Sequence, residues 1–278
     1  MDLIMDAILD TLKIWPFLWG IYIMFEYIGN KRTISLNNST LTPILGALSG
    51  CIPQCGASVA AASLYASRMI TVGTLLAVFL STSDEAIPLM MAHPNQWKTI
   101  GRLILIKVIF ASFIGILIDA LMHRGNKIVE VRGTQKHYCQ DPCCRKQSNI
   151  FQVSFERSLK VIIFLLIMTI LINWIVDLIG EASLSQLLLS NSWGQPLIAA
   201  LIGLIPNCIS SVLLTDLYLQ GIISFGSVLA GLCTGAGAGL LALFKVNKSM
   251  RQNLVIMIAL YILGATLGLI FHSIIYIV

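Results

Sequence analysis

Gly50-Cys51-Ile52-Pro53-Gln54-Cys55-Gly56-Ala57-Ser58 returns 153 positions later as Gly203-Leu204-Ile205-Pro206-Asn207-Cys208-Ile209-Ser210-Ser211. The register then holds without a gap: Leu64-Tyr65 matches Leu217-Tyr218, Gly73 matches Gly226, Leu76-Ala77 matches Leu229-Ala230, and Gly115 matches Gly268. Both copies interrupt apolar sequence with a proline and a thiol. Duplicated halves with hydrophobic segments broken at matching positions are the pattern of secondary transporters, which confines the chain to a helical membrane architecture.

Composition agrees. The chain is 57% hydrophobic and 11% charged, with mean hydropathy +0.86, where a soluble domain carries about 25% charged residues. Eight apolar segments, roughly 8–28, 41–67, 69–91, 99–122, 156–180, 195–216, 217–244 and 252–277, approach or exceed the about 20 residues that cover the hydrocarbon core. The hydrophilic insert is 123–155. Met1 to Asp10 holds three acids and no basic residue, so no cleavable signal peptide is expected. The net charge of +5 sits in loops between apolar segments, with no aromatic-basic stretch, and does not suggest nucleic acid.

Basic residues also choose between topologies. If all eight segments cross, the loop with Lys31 and Arg32 faces opposite to the insert with Arg124, Lys127, Arg132, Lys136, Arg145 and Lys146. If 41–67 and 195–216 instead enter and return on one side, each half crosses three times and the second half is inverted. One face then collects Lys31, Arg32, Arg68, the insert, Lys245, Lys248 and Arg251, as a cytoplasmic face should. The expected fold is an all-α integral membrane protein of two inverted-topology repeats, each with three crossing helices and a re-entrant or broken Pro-Cys segment. The expected divisions are 1–122, a first transmembrane repeat; 123–155, a cytoplasmic linker; and 156–278, a second, inverted repeat. The linker is expected in the cytoplasm and both termini outside a bacterial inner membrane.

The breaks are the candidate binding site. Pro53 and Pro206 lack an amide hydrogen and clash with the preceding turn. The freed backbone groups and half-helix ends can face a substrate. Gln54, Cys55 and Ser58, with Asn207, Cys208 and Ser211, are the side chains such openings would present. Cys51, Cys55 and Cys208 are candidate metal ligands, because thiolates suit soft ions; a buried cysteine is as often a small hydrophobe.

Ser83, Asp84 and Glu85 interrupt the third apolar segment, and acids in such a place are costly and functional by default. All three are candidate substrate ligands, and Asp84 and Glu85 are also candidate metal ligands and proton carriers. Ser81-Thr82-Ser83-Asp84-Glu85 is matched in the second half by Thr234-Gly235-Ala236-Gly237-Ala238, a glycine run without acids, and Thr234 joins the candidate substrate ligands. Lys107, Asp119, Asp177 and Asp216 are isolated and are assigned no chemistry; Asp216 reads as a helix cap, Asp119 and Asp177 as snorkelling. In the linker, His137, Cys139, Cys143 and Cys144 can hold a soft metal, although their spacing is not that of a zinc finger.

Taken together, Gly50-Cys51-Ile52-Pro53-Gln54-Cys55-Gly56, Thr82-Ser83-Asp84-Glu85-Ala86, the Cys/His linker, Ile205-Pro206-Asn207-Cys208 and the glycines from Gly231 to Gly239 resemble the ten-helix heavy-metal exporters, also described as arsenic efflux-like proteins or manganese transporters. The resemblance covers about residues 10–275. It implies ten helices, reached here if each Pro-Cys segment is a hairpin of two half-helices. The acidic role is carried to Asp84 and Glu85 alone.

The function expected is secondary export of a metal or metalloid ion, coupled to an ion gradient, with lipid and that ion as partners. No Gly-x4-Gly-Lys-Ser/Thr occurs, so no ATP motor is recognisable. No cofactor is required, no enzymatic activity is expected, and a homodimer is left open. The alternatives are a carrier of an organic or inorganic anion, and a permease subunit of a larger complex. A thiol oxidoreductase is disfavoured: Cys51 and Cys55 are spaced Cys-x3-Cys, and Leu204 stands at the second copy of Cys51.

Overall fold

The computed structural model describes residues 19–20, 41–51, 55–82, 86–91, 97–125 and 193–277, with isolated positions between 155 and 171. Within them lie ten helices and no strand. The first five are α1 (Leu41–Gly50), α2 (Cys55–Ala66), α3 (Val72–Ser81), α4 (Ala86–Met91) and α5 (Trp97–Gly125). The second five are α6 (Gln195–Gly203), α7 (Cys208–Leu219), α8 (Phe225–Thr234), α9 (Ala238–Val246) and α10 (Met250–Ile277). The 153-residue register of the sequence is therefore also a register of helices.

Local signals repeat with it. Thr71 caps α3 by accepting from the Thr74 amide at 3.1 Å, and Ser224, its counterpart, caps α8 by accepting from the Ser227 amide at 3.2 Å. At the turn after α2, Arg68 adopts φ 57°; at the equivalent turn after α7, Gly221 adopts φ 75°. In both turns the next amide reaches back five residues, Met69 to Leu64 O at 3.0 Å and Ile222 to Leu217 O at 2.9 Å. This is the Schellman ending of a helix.

Glycine contacts set the directions. A methyl group on Gly46 would strike Thr74 and Val78, and one on Gly50 would strike Val78 and Ser81. So α1 and α3 run parallel, and α2, between them in the chain, must carry it back. Helices α1 and α2 thus lie on either side of the Pro-Cys motif and run in opposite directions. The same holds for α6 and α8, where Gly203 lies against Gly231 and Thr234, and Pro196 reaches Gly268 beside Gly226. Helix α5 returns antiparallel to α3, with Gly73 against Gly115 and Asp119 at one end and Thr82 at Lys107 at the other. Helix α10 returns antiparallel to α8, with Gly226 against Gly268 and His272.

Burial follows this plan. Every residue from Gly73 to Ser81 and from Gly226 to Thr234 is buried, so α3 and α8 form the centre. The outer helices keep an apolar stripe exposed at four-residue spacing: Leu105, Ile109, Phe113 and Leu117 on α5, and Leu254, Ile258 and Ile262 on α10, with Ile270 eight residues further on. That is one side of a helix facing lipid. Trp97–Met122, Phe225–Val246 and Met250–Ser273 are long and apolar enough to cross a membrane. The two sets also exchange contacts: α2 packs along α9 and α7 along α4, while α3 touches α8.

Candidate functional site at the helix breaks

The second Pro-Cys break, the gap between α8 and α9 and the end of α3 border a small cavity of about 10 Å³, lined by Thr82, Asn207, Ser210, Ser211, Leu232, Gly235 and Gly237. Thr82 ends α3 and comes from the first set. Asn207, Ser210 and Ser211 belong to the second Pro-Cys motif, and the glycines to the gap between α8 and α9. Asn207 is in extended conformation at the start of α7, immediately after Pro206. It is 8% exposed. Ser210 donates its hydroxyl to Asn207 O at 2.8 Å, which folds the motif into a tight turn. Gly237 permits the kink, with φ 51°.

Behind this cavity stands Lys107. It lies near the middle of the Trp97–Met122 span and is fully buried. Its ammonium donates to the carbonyl oxygen of Thr82 and, at 2.7 Å, to that of Leu232. One acceptor comes from each set of helices, and both residues line the cavity. The break supplies the second acceptor: Ala236 turns its amide to Thr234 O at 2.9 Å instead of to Leu232 O, the partner of a continuous helix. Sequence reading passed over Lys107 as isolated. The signal was present, since a lysine inside an apolar span is a functional candidate by default.

The other expected residues fall as follows. Ser58 is fully buried, and a methyl on Gly239 of α9 would come within 2.5 Å of its Cβ, so Ser58 sits where the two sets touch. Ser211 lines the cavity. Thr234 is fully buried, with its hydroxyl 2.8 Å from Ala200 O and 2.9 Å from Gly231 O, where it ties α6 to α8. Cys51 is half-buried, and its thiol donates to Ala47 O at 3.4 Å. Cys55 and Cys208 are the first residues of α2 and α7, and their side chains lie outside the described residues. Pro53, Gln54, Ser83, Asp84 and Glu85 also lie outside them, as do His137, Cys139, Cys143 and Cys144 of the linker. Among the described residues no three His, Cys, Asp or Glu side chains come together as a metal cluster.

Two isolated acids find definite partners. Asp119 does not snorkel. Its carboxylate accepts from the Thr71 hydroxyl at 2.6 Å and from the Gly73 amide at 3.0 Å, because the open N-terminus of α3 offers both donors beside it. Asp216 accepts from the Gln220 side-chain amide at 2.6 Å, one turn further along α7.

The cavity brings hydroxyl, amide and carbonyl groups of the two sets of helices together beside the Lys107 amine, with room for about one water molecule. No curated protein and no solved structure matches the chain. A family match extends over residues 11–178 and 146–275, which together take in the Pro-Cys breaks, the acidic segment, the linker and the glycine run. The chain belongs to the family described as "Putative, 10TM heavy-metal exporter".

Proposed function

We propose that this membrane protein is a secondary transporter that exports a metal or metalloid ion in exchange for an ion moving down its gradient. The observation that carries the reading is the meeting of helix ends from both sets, α3 of the first and α7 and α8 of the second, at one small cavity, with Lys107 joining α3 and α8 through Thr82 O and Leu232 O. Discontinuous helices that meet between repeats are where secondary transporters bind substrate and coupling ion. Asp84 and Glu85 follow Thr82 in the chain by two and three residues. They supply the anionic ligands and the proton carrier, and Cys55 and Cys208 supply sulfur at the starts of α2 and α7. The protein moves its cargo without catalysing a chemical change.

Alternating access in this reading comes from rocking 1–122 against an inverted 156–278. Two packing observations support the inversion. Helix α2 heads back to the side from which α1 came, and α9 packs along α2, starting beside it with Gly239 at Ser58. Helices α8 and α9 do not pack side by side, so the chain continues onward through the break. Helix α8 therefore approaches the centre from the side opposite to α3. The linker is cytoplasmic and both termini are outside.

Reconstituted vesicles test the function. With a pH gradient imposed, uptake of Mn2+, Zn2+, Cu+ and arsenite would be followed one at a time. Gradient-driven flux of at least one is expected. Flux of an organic or inorganic anion in their place would establish the carrier alternative.

A further inference from the structure

Among the described residues, Lys107 is the one Lys or Arg that is fully buried. A charge near the bilayer centre costs at least about 2.5–3.5 kcal/mol on insertion scales. Its position in the second set is taken by Leu260, equally buried, so the repeat does not require a cation there for packing. What surrounds its ammonium is informative. Helix C-termini carry partial negative charge and carbonyls without intrahelical partners. Two such ends, of α3 and α8, aim Thr82 O and Leu232 O at a single point. The same two residues border the cavity, where Asn207, Ser210 and Ser211 offer more oxygen atoms.

Carbonyl oxygens at the ends of half-helices are the usual ligands of a transported cation. They do not distinguish an ammonium from a metal ion of similar demand. We propose that Thr82 O and Leu232 O form a cation seat, and that the Lys107 ammonium is a tethered occupant with which a divalent cation entering from the cavity competes. This deepens the transport reading and rests on it. Oxygen ligands favour a hard ion of the Mn2+ or Mg2+ kind over a soft one. The tether also removes the cost of an empty seat: when no cargo is bound, the two helix ends keep their cation.

The test uses the full-length protein in lipid nanodiscs, with Mn2+ as the probe. Lys107→Met keeps the length of the side chain and removes its charge; Lys107→Arg keeps the charge. Without metal, Lys107→Met should melt below the wild type, and millimolar Mn2+ should restore it while leaving the wild type little changed. By equilibrium dialysis, Lys107→Met should bind Mn2+ at least about tenfold more tightly, since the competitor is gone. Lys107→Arg should bind no more tightly than the wild type. Unchanged or weaker Mn2+ binding by a folded Lys107→Met would make the lysine a brace and overturn the proposal. So would a Met variant that no cation rescues, or protection of the wild type by phosphate or arsenate that is lost in the Met variant. Flux separates the two readings: a wild type that binds Mn2+ in competition with Lys107 but moves no ion keeps the seat and loses the transporter.

Discussion

Asp119 and His272 occupy the same place in the two sets of helices, and each holds the N-terminus of the helix beside it. Asp119 bonds the Thr71 hydroxyl at 2.6 Å, and His272 Nδ1 lies 2.8 Å from the Ser224 hydroxyl. Thr71 and Ser224 are the caps of α3 and α8, the two central helices. Each latch thus joins the far end of a long outer helix, α5 or α10, to the start of a buried one. The side chains differ although the roles agree. A carboxylate also complements the positive end of α3.

Removing either latch should cost stability, and the Asp119 side should suffer more. Asp119→Ala takes the acceptor from the Gly73 amide and one partner from the Thr71 hydroxyl, which keeps its bond to the Thr74 hydroxyl, and leaving a buried donor unsatisfied costs roughly 1–3 kcal/mol. Asp119→Asn keeps an acceptor and should recover about half of the loss. His272→Ala should cost about 1 kcal/mol, the usual worth of one neutral hydrogen bond. Thermal melts of the purified variants in one detergent decide this. Equal melting of Asp119→Ala and the wild type would remove the latch.

Glycines should divide sharply by position. A methyl on Gly203 would lie 2.1 Å from Gly231 O, and one on Gly73 would lie 2.3 Å from Gly115 O. Backbone cannot yield as a side chain can, so Gly203→Ala and Gly73→Ala should each cost at least about 1–3 kcal/mol by forcing helices apart. Gly101 has nothing within 4 Å, and Gly101→Ala inside α5 should stabilise by about 0.5–1 kcal/mol. Melting temperatures and folded yield of the three variants, made in parallel, provide the comparison.

The turn pair at Arg68 and Gly221 gives an opposite-sign test. Left-handed backbone costs a non-glycine residue roughly 1–2 kcal/mol. Arg68 at φ 57° bears that strain and Gly221 at φ 75° does not. Arg68→Gly should therefore raise the melting temperature and Gly221→Ala should lower it. A fall in both would mean that Arg68 makes contacts worth more than its strain.

How much of this was legible in the sequence follows from what repeats. The register of 153 residues delivers helix pairs, breaks and caps, because packing and capping demand similar residues in both copies. Loop charge argues for an inverted second half, and it does so independently of periodicity, because it reports on sidedness. Lys107 escaped because the repeat has Leu260 there, and a search for paired features passes over an unpaired one. Asp119 escaped for a related reason. Its counterpart is a histidine, and the shared element is the hydroxyl that each contacts, 48 residues away in both sets. Spacing within a motif cannot show a partner on another helix.

Topology is open to direct measurement. With 1–122 and 156–278 inverted, a label applied from the cytoplasmic side should react with Cys139, Cys143 and Cys144 of the linker, and single cysteines placed at either terminus should react from outside. Removing the three linker thiols together should leave transport largely intact and change metal sensitivity. A linker that labels from outside would sink the inverted arrangement. Complete loss of transport by a well-expressed triple variant would move the ligand site into the linker.

The acids and the paired cysteines make the sharpest test of the central site. Opened backbone and buried charge are each hard to tolerate in lipid: an unsatisfied backbone group costs several kcal/mol in hydrocarbon, and a central charge at least about 2.5–3.5 kcal/mol. A single wet cavity would relieve both; Thr82 borders the small cavity between the two sets, and Asp84 and Glu85 follow it in the chain. Asp84→Asn and Glu85→Gln keep size and hydrogen bonding and lose the charge. Each should impair flux while leaving the protein folded. Cys55→Ser and Cys208→Ser keep the volume and lose the thiolate. They should impair flux of Cu+ or arsenite and leave Mn2+ flux nearly unchanged, since an oxygen-lined seat does not need sulfur. Flux assays of the four variants against a soft and a hard cargo read out both points at once. Normal transport by both acidic variants would leave Asp84 and Glu85 as loop residues and deprive proton coupling of its carrier.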